Sequence, residues 1–386
     1  MDERMQFVVE ARLGQLNFAE LCRLFGVSHK TGYKWLNRYN AEGAVGLRSR
    51  TSAPHVSPQQ IEPDVATALI RLRHTHPTWG PRKLLALLHR TRPGIDWPAA
   101  STVGDLLKRE GLVKPRRRRR HASPTTQPFA SCIAPNDTWC IDFKGQFRVG
   151  HRFCYPLTVT DAVSRYLLCN RGMERTTTPL VRKVLERVFR DHGLPSRMRS
   201  DNGSPFASTG LAGLSTLSVW WIRLGILPER IEPGEPQQNG RHERMHGTLK
   251  KDVARRASMR AQQRALDDFS ETYNNLRPHE ALNMRTPAEV HSPSPRPYPT
   301  RLPELEYPSE YVLRHVRPTG QFKWRNRLLY ANQALAGEVI GLRQEDDGLW
   351  AVCFGPVTLG CVDDRALHLG IVQPKWGQSV LPRSPV

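Results

Sequence analysis

Three acidic residues stand in settings that suit chemistry: Asp142 in Trp-Cys-Ile-Asp-Phe-Lys-Gly, Asp201 in Arg-Ser-Asp-Asn-Gly-Ser-Pro-Phe, and Glu243 in Gln-Gln-Asn-Gly-Arg-His-Glu-Arg. The first two end or follow apolar, strand-like runs, and the third opens a basic helix. The chain carries 57 basic and 36 acidic residues, a formal charge of +21. Three carboxylates converging in such a chain point to a divalent cation that neutralises them. Two such cations sharing a phosphate oxygen suit in-line displacement at phosphorus, one activating the attacking oxygen and the other stabilising the leaving oxygen. Around Asp201 small residues leave room for a phosphate, and Gly203 offers an unusual backbone angle. Taken singly, each acid is better explained by a solvated or capping carboxylate.

Asp161 is a rival acid, since it ends a strand in Thr-Asp-Ala-Val-Ser-Arg and could face the same edge. Glu235, His242 and His246 lie near Glu243; the two histidines read as DNA contacts or structural residues. Arg241, Arg244, Lys250 and Lys251 flank the acid with positive charge. Helical spacing brings Glu243 and Lys250 to about the same face, so Lys250 with Arg241 or Arg244 is expected to grip phosphates. A solvated basic face is the alternative for each.

Strands and helices must hold these groups. From about Ser131, Trp139–Phe143, Cys154–Asp161 and Tyr166–Asn170 read as three successive strands. Thr178–His192 is an amphipathic helix ended at Gly193, Arg197–Ser200 a fourth strand and Leu227–Ile231 a fifth, with a helix around Trp220–Leu224 between them. The pattern predicts a mixed five-stranded sheet with helices on its faces. Residues 131–290 are assigned to this α/β core.

Residues 1–50 read as a helix-turn-helix. Phe18, Leu21, Cys22 and Phe25 have helical spacing, Gly26 permits a tight turn, Val27 plugs the angle and Ser28 caps the next helix. That helix, about His29 to Tyr39, buries Trp35 and Leu36 and offers Thr31, Tyr33, Lys34 and Arg38 to a DNA groove. A helical hairpin for protein contacts is the competing reading. Residues 56–113 form a second helical unit, with Ser101 as an N-cap and Gly111 as a C-cap. A second DNA-binding module is favoured there over a spacer. Residues 114–130 are a basic linker in which Arg116, Arg117, Arg118, Arg119 and Arg120 can lie along phosphates. Six prolines mark 291–308 as a linker. Short strands with glycine turns over 309–372 predict a small, barrel-like β module, and 373–386 a tail.

Residues 1–128 hold 22 basic and 10 acidic residues, a net of +12, which favours a polyanionic partner over a membrane surface. The start is charged and lacks the apolar stretch of a signal peptide, and no run approaches the roughly 18 apolar residues of a membrane span. Seven scattered cysteines, without a Cys-x-x-Cys pair, argue against a disulfide framework and a thiolate zinc site. A cytoplasmic chain, on the nucleoid when bound to DNA, is expected.

The motifs resemble those of the D-D-E transposases and retroviral-type integrases, in particular the bacterial insertion-sequence transposases called IS-four-eighty-one-like. Trp139-x-x-Asp142 is similar to the first catalytic carboxylate of that family, and Ser200-Asp201-Asn202-Gly203-x-x-Phe206 to the second. Pro236-Gln-x-Asn239-Gly240-x-x-Glu243-Arg244-x-x-x-Thr248-Leu249-Lys250 resembles the third acid and its helix. Tyr273-Asn-x-x-Arg277-Pro278-His279-x-x-Leu282 and Thr286-Pro287-Ala288-Glu289-Val290 resemble the segment closing the core. The interval from Asp201 to Glu243, 41 residues, is a little longer than the family's, and Ser208–Ser218 is where the excess is expected. The resemblance demotes Asp161 to a supporting position, with Ser164 and Arg165 beginning the next strand. It implies a ribonuclease-H-like core and catalysis by Asp142, Asp201 and Glu243 on two Mg²⁺ ions, with Mn²⁺ able to substitute. It further implies strand transfer by a DNA 3′-hydroxyl. Double-stranded DNA (the element's terminal inverted repeats and a target) is the implied partner, and a homo-oligomer on DNA the implied assembly. His74 and His76 lack thiolate partners for a zinc module. A DNA-binding regulator without chemistry, or a metal-dependent nuclease that cuts without joining, are the alternatives.

Overall fold

The computed structural model describes residues 2–50, 61–114, 132–208, 211–231, 239–365 and 371–372. Arg116, Arg117, Arg118, Arg119 and Arg120, Glu235, Pro236 and the tail 373–386 therefore lie outside the described residues. The chain divides into two compact units, 1–62 and 63–386.

The first unit is three helices, α1 (Asp2–Leu13), α2 (Phe18–Leu24) and α3 (His29–Glu42). Phe7, Val8, Leu21, Cys22 and Leu47 are its buried core. Gly26 makes the turn at φ +64°, and the Ser28 hydroxyl accepts the Thr31 backbone N–H at 3.2 Å, capping α3. Val27, Trp35 and Leu36 are only half-buried, so they pack at the rim of this core. A close approach is at Gly32, where a Cβ would sit 2.8 Å from the Phe7 ring and 2.9 Å from Cys22 Sγ.

The second unit opens with α4 (Pro63–Thr75), α5 (Pro81–Thr91) and α6 (Ala100–Arg109), which bury Leu69, Leu84, Val103 and Leu107. Ser101 does not cap α6. The helix begins one residue earlier with Ala99 at the cap position, because its first turn is set by backbone geometry without a side-chain acceptor. Gly111, at φ +70°, follows the cap residue Glu110; its N–H reaches Lys108 O while Leu112 N–H reaches Leu107 O. That pair closes the helix end with a left-handed residue. Arg90 pairs with Glu289 at 3.1 Å, and the Arg277 guanidinium lies 5.8 Å from the Trp79 ring centroid. These helices are thereby fastened to the segment that closes the core.

The core sheet contains β1 (Thr138–Phe143), β2 (Phe147–Val149), β3 (Arg152–Asp161), β4 (Leu167–Met173), β5 (Arg197–Ser200) and β6 (Leu227–Arg230). Strands β3 and β1, and β3 and β4, pair antiparallel, whereas β1, β5 and β6 run parallel to one another. The short β2, also paired with β3, makes six strands where five were expected. It is a three-residue hairpin arm whose pattern is too brief to read from alternation. The fourth strand starts at Leu167, since Ser164 and Arg165, the latter at φ +65°, belong to the preceding turn. Along β1, Trp139 and Ile141 enter the core formed with α7 (Thr178–His192) and α8 (Thr216–Arg223). The opposite face is covered by α9 (Gly240–Asp252) and α10 (Met259–Glu271), through Met245, Leu249, Leu266 and Phe269. The result is a ribonuclease-H-like mixed sheet with helices on both faces.

The proline-rich segment 291–308 is not a free tether. Leu194 N–H donates to Arg296 O at 2.7 Å, and the Arg296 guanidinium donates to carbonyls of Pro195, Leu224 and Gly225. Beyond it, β7 (Val312–His315), β10 (Val339–Asp346), β11 (Leu349–Phe354), β12 (Val357–Asp363) and β13 (Ile371–Val372) form an antiparallel sheet. A two-stranded sheet of β8 (Gln321–Trp324) and β9 (Arg327–Tyr330) packs beside it. Among the described residues these sheets do not close into the expected barrel. They share a core with Leu214, Val219 and Ile222 at α8.

Candidate active site

Asp142 leaves the end of β1, where alternation aims it at the α9 face, opposite to Trp139 and Ile141. Strand β5 lies parallel to β1, with Cys140 level with Arg199. Continuing that register two residues brings Asp201 level with Asp142 on the neighbouring strand. Glu243 is exposed in the first turn of α9. The three carboxylates are close enough to feel one another. Burial first, then the charge of Asp201 and to a lesser degree that of Glu243, push the Asp142 carboxyl up to about 7.

Gly203 serves the site differently from expectation. It has no left-handed backbone, and its use is spatial: a Cβ there would lie 3.1 Å from Asp201 Oδ2. Its N–H donates to Asp201 Oδ1 at 3.1 Å, and Asn202 Nδ2 donates to Ile231 O at 2.9 Å, fixing the turn to the end of β6. Phe206, fully buried between Phe143 and Trp221, anchors the far side of the turn.

Asp161 is removed from the site by one step of strand alternation. It pairs with Trp139, not with Asp142, and is buried on the other side. Its oxygens accept the N–H groups of Asn136, Val163 and Ser164 and the Ser164 hydroxyl, at 2.6–3.0 Å. A carboxylate so satisfied organises the turn and has little left to offer a cation.

Sequence reasoning missed the support beneath Asp142. Thr158 is its cross-strand partner and, with Thr160 two residues on, is buried against α9. Thr158 Oγ1 lies 2.8 Å from His242 Nε2 and 2.7 Å from His246 Nε2, and Thr160 Oγ1 is 2.7 Å from His242 Nδ1. Both histidines are buried, which excludes them as DNA contacts. Burial holds His242 well below its usual range; burial and the nearby Lys144 charge push His246 down to about 3. Both rings are therefore neutral. Two threonines at strand period opposite two histidines at helix period were the signal that could have revealed this packing.

Of the cations, Arg244, Lys250 and Lys251 are exposed. Arg241 is half-buried and donates to Ala162 O at 2.7 Å, tying α9 to the turn after β3. Arg277 and His279 face inward: Arg277 reaches Asp252 at 3.4 Å and His279 packs edge-on against Tyr273. In the first unit Tyr33 and Lys34 are exposed and Arg38 half-buried, while Thr31 Oγ1 is 3.0 Å from the Ser28 hydroxyl at the cap.

Residues 133–236 match the integrase core domain family, and 224–287 match a second family of the same description. Together the two matches identify an integrase core domain within residues 133–287. Ahead of the core, residues 3–55 match a helix-turn-helix domain and 31–107 a homeodomain-like domain. The chain is also similar to insertion-element proteins. An uncharacterized 39.2 kDa protein of insertion element IS476 from Xanthomonas euvesicatoria is 27% identical over 58% of this chain and 64% of its own length. An uncharacterized 31.7 kDa protein of IS407 from Burkholderia multivorans is 26% identical over 64% of this chain and 87% of its own. The match thus spans a little under two thirds of the first relative and most of the second. Among solved structures, a simian T-cell lymphotropic virus intasome in complex with PP2A regulatory subunit B56 gamma aligns at 17% identity and TM-score 0.36. That alignment covers 80% of this chain and 99% of the intasome chain. The HTLV-2 integrase catalytic core in complex with magnesium aligns at 15% identity and TM-score 0.33, covering 42% of this chain and 99% of that one. No helix of the described residues is long and apolar enough to cross a membrane.

Proposed function

We propose that this integrase-core protein is a DNA transposase, with Asp142, Asp201 and Glu243 as its catalytic carboxylates. The observation that supports this most is the raised Asp142 carboxyl, pushed to about 7 beside two other acids in a chain of net charge +21. Unneutralised carboxylates fit a divalent cation, and the three carboxylates taken alone offer the oxygen donors that fit Mg²⁺. When bound, such ions supply Lewis-acid stabilisation of the attacking and leaving oxygens.

The protein's own groups do the positioning. Asp142 near the end of β1 and Asp201 just past the end of the adjacent parallel β5 have their heights fixed by those strands, and α9 carries Glu243 in its first turn. The space kept open by Gly203 admits a phosphate beside Asp201. Arg244, Lys250 and Lys251, exposed on α9, would hold the flanking phosphates. In the first unit, Tyr33, Lys34 and Arg38 on α3 would read the element's terminal repeat from the major groove. Water would open the phosphodiester at the element's end, leaving a 3′-hydroxyl that attacks a target phosphodiester with release of its own 3′-oxygen. Joining two ends calls for an oligomer on DNA.

Asp142→Asn, Asp201→Asn and Glu243→Gln should each reduce Mg²⁺-dependent nicking of end DNA to background while end binding persists. Full nicking by any one variant would remove that residue from the site. Joining of pre-nicked ends to a target separates a transposase from a nuclease of the same fold.

A further inference from the structure

The network below Asp142 fixes the protonation of His246. Thr158 has one hydroxyl proton and three polar contacts. It donates to the Asp142 backbone carbonyl at 3.0 Å, so its oxygen must accept from His242 Nε2 at 2.8 Å and His246 Nε2 at 2.7 Å. Each ring then carries its proton on Nε2. His242 Nδ1 is consumed by the Thr160 hydroxyl at 2.7 Å. His246 Nδ1 is left with a bare lone pair, and it lies 3.7 Å from Asp142 Oδ2, an atom that also offers only lone pairs once its carboxyl is ionised.

With Asp142 ionised, two acceptors face each other in a site where the His246 side chain is only 9% exposed, and they repel unless a proton or a metal cation lies between them. We propose that His246 Nδ1 is a ligand to the divalent ion held by Asp142, so that this site takes a first-row transition ion such as Mn²⁺ or Co²⁺ in preference to Mg²⁺. This rests on the reading of Asp142 as a metal-holding carboxylate.

Four observations support it. Bonds near 2.1 Å put adjacent ligand atoms about 3.0 Å apart in the octahedral geometry of Mn²⁺, so the observed 3.7 Å separation must close by about 0.7 Å, within reach of a side-chain rotation. The Nε2–H of His246 is bonded outward to Thr158, the second contact that metal-ligating histidines make almost without exception. Glu243 and His246 stand three residues apart on one helix, a spacing that places a carboxylate and an imidazole on one face. Imidazole nitrogen is a ligand for transition ions, whereas Mg²⁺ takes oxygen. His242 also lies within the 4.8 Å donor cluster, but both of its nitrogens are engaged by threonine, which makes it a positioning residue for His246.

The test is pulsed electron paramagnetic resonance on the full chain loaded with Mn²⁺, without DNA. Modulation from directly bonded ¹⁴N should be present in the native protein, persist in His242→Gln and vanish in His246→Ala. Mn²⁺ affinity should fall at least about tenfold in His246→Ala, with a smaller change for Mg²⁺. Asp142-dependent Mn²⁺ binding without nitrogen modulation, or modulation unchanged in His246→Ala, would overturn the ligand assignment and leave the metal-site reading intact. Mn²⁺ binding indifferent to Asp142→Asn would overturn both. Should His246→Ala not fold, [¹⁵N]histidine in the native chain serves instead: the modulation must change to that of ¹⁵N, and its failure to do so overturns the proposal.

Discussion

At the scale of single residues, Asp142 is held in a state that the folded chain alone does not favour. Its carboxyl moves from an ordinary 3.8 to about 7, mainly through burial and then through Asp201 and Glu243. Between those two values the folded, metal-free protein keeps a proton that the unfolded chain has already released. Its stability therefore falls as pH rises from about 4 through about 7, and stays at the lower level above. Asp142→Asn removes the ionisation, so it should raise the metal-free melting temperature at pH 8, by an amount equivalent to up to about 4 kcal/mol. At pH 4 the gain should be small. Thermal melts at the two pH values check this, and an equal change at both would mean that Asp142 titrates normally. The same acid was legible in the sequence because it ends an apolar strand run. Thr158, Thr160 and the histidine pair were not recognised, because their meaning lies in contacts some 80 residues apart that no local pattern displays.

At the scale of elements, the end of α7 shows how one local signal can hold two meanings. Gly193 was readable as the end of α7, following an amphipathic run of fifteen residues, Thr178–His192. Its second role was invisible: residues 294–296 cross it so closely that a Cβ would lie 2.7 Å from Ser294 O and 2.8 Å from Arg296 O. The backbone there is also left-handed, at φ +76°. Gly193→Ala should therefore cost about 2 kcal/mol or more, combining backbone strain with displacement of the strap. Denaturant unfolding measures it, and a loss under about 0.5 kcal/mol would show that the strap yields freely. Ser101 teaches the converse. Serine beside an apolar run is a good cap candidate, yet α6 begins at Ala100 and Ser101 falls within its first turn. Helix starts are read from composition only to within a residue or two.

At the scale of the whole chain, composition led to the expectation of a catalytic core joined by a proline-rich linker to a small β module. The α/β core was legible because its strands and α7 keep clean periodicities. The relation between core and C-terminal sheets was not, because six prolines describe a segment without regular structure whether it is free or packed. Here it is packed: Arg296 ties together Pro195, Leu224 and Gly225, Tyr298 and Leu302 join the core cluster, and Tyr307 OH donates to Val339 O. Arg223 on α8 reaches Glu338 at 3.3 Å, and Asn332 donates to Leu214 O at 3.1 Å. A chain ending at residue 290 would uncover Leu214, Val219 and Ile222, each no more than 5% exposed in the intact protein. Loss of burial costs about 1.5–3 kcal/mol for a side chain of valine or leucine size, before the lost hydrogen bonds are counted. The truncated protein should melt at a clearly lower temperature and aggregate through the bared α8 surface, as size-exclusion chromatography would record. A tethered, independent module makes the opposite prediction: a monodisperse fragment whose core melts as it does in the full chain.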